Sequence, residues 1–406
     1  MKKEGLDWDF VSANTKEHTH GFHTYPAMMI PQIARQLIKI HGKNARTLLD
    51  PFMGSGTSLV EVSITHNIEK AYGFDLNPLA VLISKVKTTS LNSIVLNKEL
   101  SKILKNISKE NYTTPKFHNV DFWFKKKVIR DLSRLKAKIK KIKNEGIRNF
   151  FLIVFSETIR NVSNTRNREF KLYRMDEKNL KKHNPETFKE FEKISRRNID
   201  LLKEYVKEKN GVEIKIDLGN SSIGLPLEKS SIDLIVTSPP YGDSRTTVAY
   251  GQFSRLALQW MDYKEANMVD KKLLGGIISK NLTTKIKSPK LRKVINKISK
   301  KDTKRAKEIL SFYEDFNFCV KEIDRVMKKN GKVCFVVGNR TIKKITLPTD
   351  KIMIEMFQSI GNYKHLTTYK RKIPHKRMPK SNSPTNKKGD LVPTINEEYI
   401  FILKKL

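Results

Sequence analysis

Cysteine is scarce: the 406 residues contain two, Cys319 and Cys334. Neither has metal-ligand or redox spacing, and both sit among apolar neighbours, which predicts buried core thiols in a cytoplasmic chain without disulfides. No apolar run approaches transmembrane length. Met1-Lys2-Lys3-Glu4 leads into no apolar stretch, so no signal peptide is expected. Acid is under-represented: 42 Asp and Glu face 80 Lys and Arg, a formal net charge of +38. Such charge repels itself unless a polyanion relieves it. Nucleic acid is therefore the expected partner, with an anionic membrane surface as the rival. Genome composition and a hot habitat are other sources of high lysine. The dinucleotide pattern G-x-G-x-x-G and the phosphate loop G-K-[ST] are both missing. His18, His20 and His23 cluster near the start without cysteine or grouped carboxylates, so no metal is expected there.

What is present centres on Thr237-Ser238-Pro239-Pro240-Tyr241, which follows the β-branched run Ile232-Asp233-Leu234-Ile235-Val236. An apolar run closed by two prolines reads as a buried parallel strand ending in a rigid loop. Each proline fixes φ and removes a backbone donor, and the residue before it is pushed to an extended shape. The stiff arm keeps free carbonyls and ends in an aromatic ring. It suits a flat polar ring with an exocyclic amine: a carbonyl and the Ser238 hydroxyl can accept amine protons, and Tyr241 can stack on the ring face.

Upstream, Arg46-Thr47-Leu48-Leu49 reads as a short strand running into Asp50-Pro51-Phe52-Met53-Gly54-Ser55-Gly56-Thr57, and a helix begins at Leu59. Strand, glycine-rich turn and helix allow backbone N–H groups to approach a ligand closely. About 20 residues beyond Gly56, Ala71-Tyr72-Gly73-Phe74-Asp75 is a second strand ending in an acid, the spacing at which ribose hydroxyls are bound in nucleotide-binding α/β sheets.

These stretches together resemble the amino-methylating DNA methyltransferases that use S-adenosylmethionine. Asp50 to Thr57 is similar to their cofactor loop, Phe74-Asp75-Leu76-Asn77-Pro78 to their second motif, and Thr237 to Tyr241 to their catalytic motif in its cytosine-N4 form. His23-Thr24-Tyr25-Pro26-Ala27-Met28-Met29-Ile30-Pro31 is similar to the segment that precedes the loop. The resemblance implies a Rossmann-like α/β fold with a seven-stranded sheet. It implies that Tyr25, Asp50, Phe52, Gly54, Ser55, Gly56, Thr57, Asp75, Asn77 and Asn220 hold the cofactor, Asn220 standing where the family often has Asp. It also implies that Ser238, Pro239, Pro240 and Tyr241 act on the target amine. Serine at 238, where adenine enzymes usually carry Asp or Asn, favours N4 of cytosine; N6 of adenine, RNA as substrate, and a non-catalytic nucleic-acid binder remain alternatives. Carbon-5 methylation would need a cysteine in a Pro-Cys context, which the chain lacks.

The expected organisation is a core of 1–90, a helical insertion over 91–211 that is a candidate for DNA recognition, and the catalytic strand and loop over 212–261. A basic segment follows over 262–310, then the second half of the core over 311–406 with a basic loop at 370–389. Helices are expected at 31–40 with Ile33, Leu37 and Ile40 on one face, at 312–327 with Asn330-Gly331 as its stop, and at 352–360. Gly275-Gly276 reads as a hinge. Phe122-Trp123-Phe124 and Phe150 to Phe155 read as core of the insertion. Arg166, Arg168, Arg245, Lys285, Lys287, Arg371, Lys376 and Arg377 are the candidate contacts to double-stranded DNA. A monomer is expected, with a cognate restriction endonuclease sharing the biological system.

Overall fold

Short apolar runs between turn residues become the strands of one sheet. The computed structural model describes residues 6–65, 68–166, 169–241, 250–373, 381–382, 392–393 and 395–406. Its first four strands are β1 (Thr47–Asp50), β2 (Lys70–Asp75), β3 (Glu213–Leu218) and β4 (Ile232–Thr237). They are followed by β5 (Met327–Gly338), a hairpin of β6 (Arg340–Ile342) and β7 (Ile345–Leu347), and β8 (Tyr363–Lys372). The two-residue pair β9 (Ser381–Asn382) and β10 (Val392–Pro393) precedes the last strand, β11 (Glu397–Lys405). Seven of them form one sheet in the order β3-β2-β1-β4-β5-β11-β8. The first five run parallel, and β11 is antiparallel to both neighbours. This is the expected Rossmann-like methyltransferase sheet. The strand order reverses between β1 and β4, and in open α/β sheets ligands bind beyond the strand C-termini at that point.

Helices cover both faces. On one side lie α1 (Pro31–His41), α2 (Thr57–Ile64) and α3 (Pro78–Thr88). The insertion supplies α4 (Ser93–Leu104), α5 (Val120–Trp123), α6 (Lys126–Lys140), α7 (Glu145–Val162), α8 (Glu177–Lys182) and α9 (Thr187–Glu208). Beyond the proline arm come α10 (Tyr250–Trp260), α11 (Val269–Lys272), α12 (Pro289–Ser299), α13 (Thr303–Val326) and α14 (Thr349–Ile360). Alternation along the strands feeds two cores: Leu234 and Val236 pack with α1, while Ile235 and Phe335 pack with α13 and α14. The insertion is helical, as its periodicity predicts. Val128, Leu132, Leu135 and Ile139 of α6 and Phe150, Phe151 and Phe155 of α7 form a third core with α3 and α10. In the two expected core runs the aromatic residues are packing residues, Phe122 excepted, which is exposed beneath the Arg174 guanidinium. No helix among the described residues is long and apolar enough to cross a membrane.

The buried face of α1 is Ile33, Ala34, Leu37 and Ile38, and the half-buried Ile40 packs against the same core. One expectation is corrected. Helix α13 ends at Val326 and Asn330-Gly331 lies inside β5, where Asn330 has φ 66° near an irregularity in the pairing with β4. Gly275 sits in a turn that favours glycine: its φ is 72°, its N–H donates to Asp315 Oδ2 at 2.7 Å, and a Cβ there would lie 3.2 Å from Phe312 Cα.

Candidate active site

The turn after β1 is held by two carboxylates. Gly54 and Gly56 have φ of 51° and 77°, a region that favours glycine, and Gly56 caps the start of α2. A Cβ on Gly56 would lie 2.8 Å from Ser84 Oγ, so α3 closes tightly on the turn. At the end of β2, Asp75 accepts from Gly54 N–H at 2.9 Å and from Asn77 N–H at 2.8 Å. Asp50, at the end of β1, accepts from Phe52 N–H at 3.1 Å, from the Ser58 hydroxyl, and from Thr237 Oγ1 at 2.5 Å. Burial pushes both carboxyls up to about 6, against the hydrogen bonds that favour their ionised forms.

A cleft enclosing about 830 Å³, part of it open to solvent, runs along this turn. Tyr25, Asp50, Phe52, Gly54, Ser55, Thr57, Asp75 and Asn220 line it, and so do Ser238 and Pro240 from the proline arm. The two motifs, far apart in sequence, thus share one cavity. The Ser55 hydroxyl is buried there with no hydrogen-bond partner among the described residues, as a site for a polar ligand group would leave it. An unpartnered hydroxyl, an acid and a glycine turn fit a cofactor that carries a polar amino-acid end and a ribose.

A family description, DNA methylase, matches residues 232–405. The Type II methyltransferase M.MvaI of Kocuria varians is 44% identical across 97% of this chain and 93% of its own. The chain belongs to the DNA methyltransferases of restriction–modification systems. A second relative, the Type II methyltransferase M.MjaII of Methanocaldococcus jannaschii, is 38% identical over 26% of this chain and 20% of its own. Among solved structures, the rRNA methyltransferase aviRa of Streptomyces viridochromogenes aligns over 99% of this chain and 94% of its own, at TM-score 0.32 and 10% identity, too weak a likeness to bear on activity. The methyltransferase uses S-adenosylmethionine as its cofactor.

Not every residue singled out from the sequence faces the cleft of this methyltransferase. Asn77 is buried behind it: its Oδ1 accepts from Leu79 N–H at 3.1 Å, and its Nδ2 donates to Tyr25 Oη at 3.0 Å and Ser254 Oγ at 2.6 Å. Gly56 and Pro239 shape the turns without lining the cavity. Asn220 lines it, with its Oδ1 accepting from Ser222 N–H at 3.0 Å and Ser222 Oγ at 2.7 Å. Tyr241 lies off the lining. Its ring lies against Gly338 at the end of β5, and its hydroxyl donates to Glu398 Oε1 at 3.0 Å. Tyr250, the first residue of α10, does line the cleft, together with Tyr25 and Phe52.

Arg371 is corrected. It is 4% exposed inside β8, with Nη1 donating to Glu398 Oε2 at 2.6 Å and Nη2 to the Asp9 carbonyl at 3.3 Å, so it is a buried ion-pair residue and not a free DNA contact. Arg166 is exposed and lies 3.7 Å from Glu169, and Lys285 and Lys287 are exposed ahead of α12. Arg168, Arg245, Lys376 and Arg377 lie outside the described residues. The early histidines are structural: His20 Nε2 pairs with Glu61 at 2.8 Å, and His23 Nε2 with Ser156 Oγ at 3.0 Å. Sequence reasoning passed over Ser58, Ser254, Gly338 and Glu398, and the cleft residues Leu273 and Leu274, and gave Thr237 no role of its own within the motif. Only Ser58 carried a local signal, as a hydroxyl directly beside the cofactor loop.

Proposed function

We propose that this methyltransferase places a methyl group on the N4 amine of a cytosine flipped out of duplex DNA. The observation that carries the reading is the cleft shared by Gly54, Ser55, Asp75, Ser238 and Pro240. The cofactor supplies an electrophilic methyl on a sulfonium. Ser55 and the glycine turn hold its amino-acid end, Asp75 its ribose hydroxyls and Asn220 its adenine amine. The target amine is a poor nucleophile because its lone pair is delocalised into the ring. Ser238 Oγ, on the cleft, accepts a proton of that amine and favours a pyramidal nitrogen, an interaction that strengthens toward the transition state. Extruding the base costs a few kcal/mol, which binding by exposed cations such as Arg166, Lys285 and Lys287 offsets. In the same reading the helical block 91–211 reads the recognition bases, the protein acts as a monomer, and a cognate endonuclease shares its site.

Methylation mapping of DNA from cells expressing the protein tests the reading. The expected result is N4-methylcytosine in one short sequence context. N6-methyladenine at that context, or label entering RNA alone, overturns the assignment of the base or of the substrate.

The raised carboxyls add a pH dependence. Ionised Asp75 is the acceptor, so acid must weaken cofactor binding: affinity should fall as pH drops through about 6, by up to about tenfold per pH unit for one proton. For stability the sign is opposite. A carboxyl whose folded value is raised costs stability when ionised and takes up protons more readily in the fold, so lowering the pH from neutral to about 4 relieves that cost and the apoprotein gains stability. Calorimetric titration from pH 8 to 5 with parallel thermal melts checks both; affinity flat through pH 6 counts against Asp75 as the ribose acceptor.

A further inference from the structure

Behind the proline arm runs a series of hydrogen bonds that ends in an ion pair. In the sheet, Glu398 at the start of β11 stands opposite Gly338 on β5 and opposite Arg371 on β8. A Cβ on Gly338 would lie 2.9 Å from the Tyr241 ring, so the bare backbone there lets the phenol reach Glu398. Glu398 Oε1 accepts from Tyr241 Oη at 3.0 Å, and Oε2 accepts from Arg371 Nη1 at 2.6 Å. Ser238 Oγ lies 3.2 Å from Tyr241 Oη and donates to the Val336 carbonyl at 3.0 Å.

Counting protons gives this series a direction. An ionised carboxylate only accepts, so the single phenolic proton is committed to Glu398. Burial, with the Glu398 charge beside it, keeps that phenol protonated well above its usual range. Tyr241 then has no proton for Ser238. The serine's own proton points inward, to Val336 or to the phenol oxygen, and its remaining lone pairs are left for the cleft.

We infer that Glu398 is a positioning residue for methyl transfer: by taking the phenolic proton it makes Ser238 an acceptor toward the target amine. The inference rests on the role proposed above for Ser238. Glutamine at 398 keeps the shape but can present N–H to the phenol oxygen. The phenol would then turn its proton onto Ser238 and block a lone pair.

The test compares single-turnover methyl transfer to duplex DNA by the wild type, Glu398→Gln, Tyr241→Phe and the double variant, with cofactor affinity measured for each. Glu398→Gln should slow transfer at least about tenfold, the scale of one misdirected hydrogen bond, with cofactor affinity within about twofold. In the Tyr241→Phe background the same change should alter the rate by less than about twofold, because no phenolic proton remains to redirect. A wild-type rate in Glu398→Gln, or an equal loss in both backgrounds, overturns the inference. Should Glu398→Gln fail to bind cofactor, Glu398→Gln with Arg371→Gln leaves no unpaired buried cation and is held to the same expectations. A wild type that methylates no DNA fails the functional reading itself, and the inference with it.

Discussion

Ser238→Ala is expected to lower kcat by about a hundredfold to a thousandfold, the usual cost of removing one preorganised polar partner from a reacting group. Ser238 lies on the cleft, donates to Val336 at 3.0 Å, and has lone pairs left for an incoming amine. Alanine removes that acceptor, along with the hydrogen bond to Val336 and the contact with Tyr241 Oη. The strand behind it stays anchored by Thr237, whose hydroxyl bonds Asp50 at 2.5 Å. Cofactor affinity should therefore stay within about twofold, and the loss should appear in kcat rather than in KM for DNA. Single-turnover assays with calorimetric cofactor titration check this. A rate within about threefold of wild type would remove Ser238 as the acceptor of the target amine.

The second large effect is expected at Asp75. Its carboxylate fixes the glycine turn through Gly54 N–H at 2.9 Å and the start of α3 through Asn77 N–H at 2.8 Å, while it faces the cleft. Asp75→Ala removes the acceptor of both bonds and the proposed ribose acceptor. Hydrogen bonds to a charged group contribute about 1.5–3 kcal/mol each. Cofactor affinity should accordingly fall at least about a hundredfold, which corresponds to roughly 2.7 kcal/mol. Asp75→Asn keeps one acceptor oxygen and should recover part of the loss. Equal affinity for Asp75→Ala and wild type at pH 8 would remove Asp75 from the cofactor site.

The parts of the fold written in local chemistry were legible. The β-branched run before two prolines, the G-x-G turn between strand and helix, and the 3.6-residue rhythm of the insertion each specify a shape without help from distant residues. The sheet followed from these, and so did the meeting of Gly54 with Ser238. What escaped was decided by partners far along the chain. Arg371 looks like one more cation in a basic stretch until Glu398, 27 residues on, faces it across the ladder. Tyr241 reads as a free stacking plate, but Gly338 makes room for its ring and Glu398, 157 residues away, takes its hydroxyl. Asn77 reads as a ligand contact because it adjoins Asp75, yet the preference of Asn for helix starts sends its side chain into the cap of α3.

Asp50 joins three pieces of chain: its own loop, Ser58 eight residues later and Thr237 at a separation of 187. The glycine turn and the proline arm are therefore pinned to one common rivet. A shift of one is transmitted to the other through that carboxylate rather than through the outer helices. Changes in length among those helices therefore leave the spacing of the turn and the arm set by Asp50.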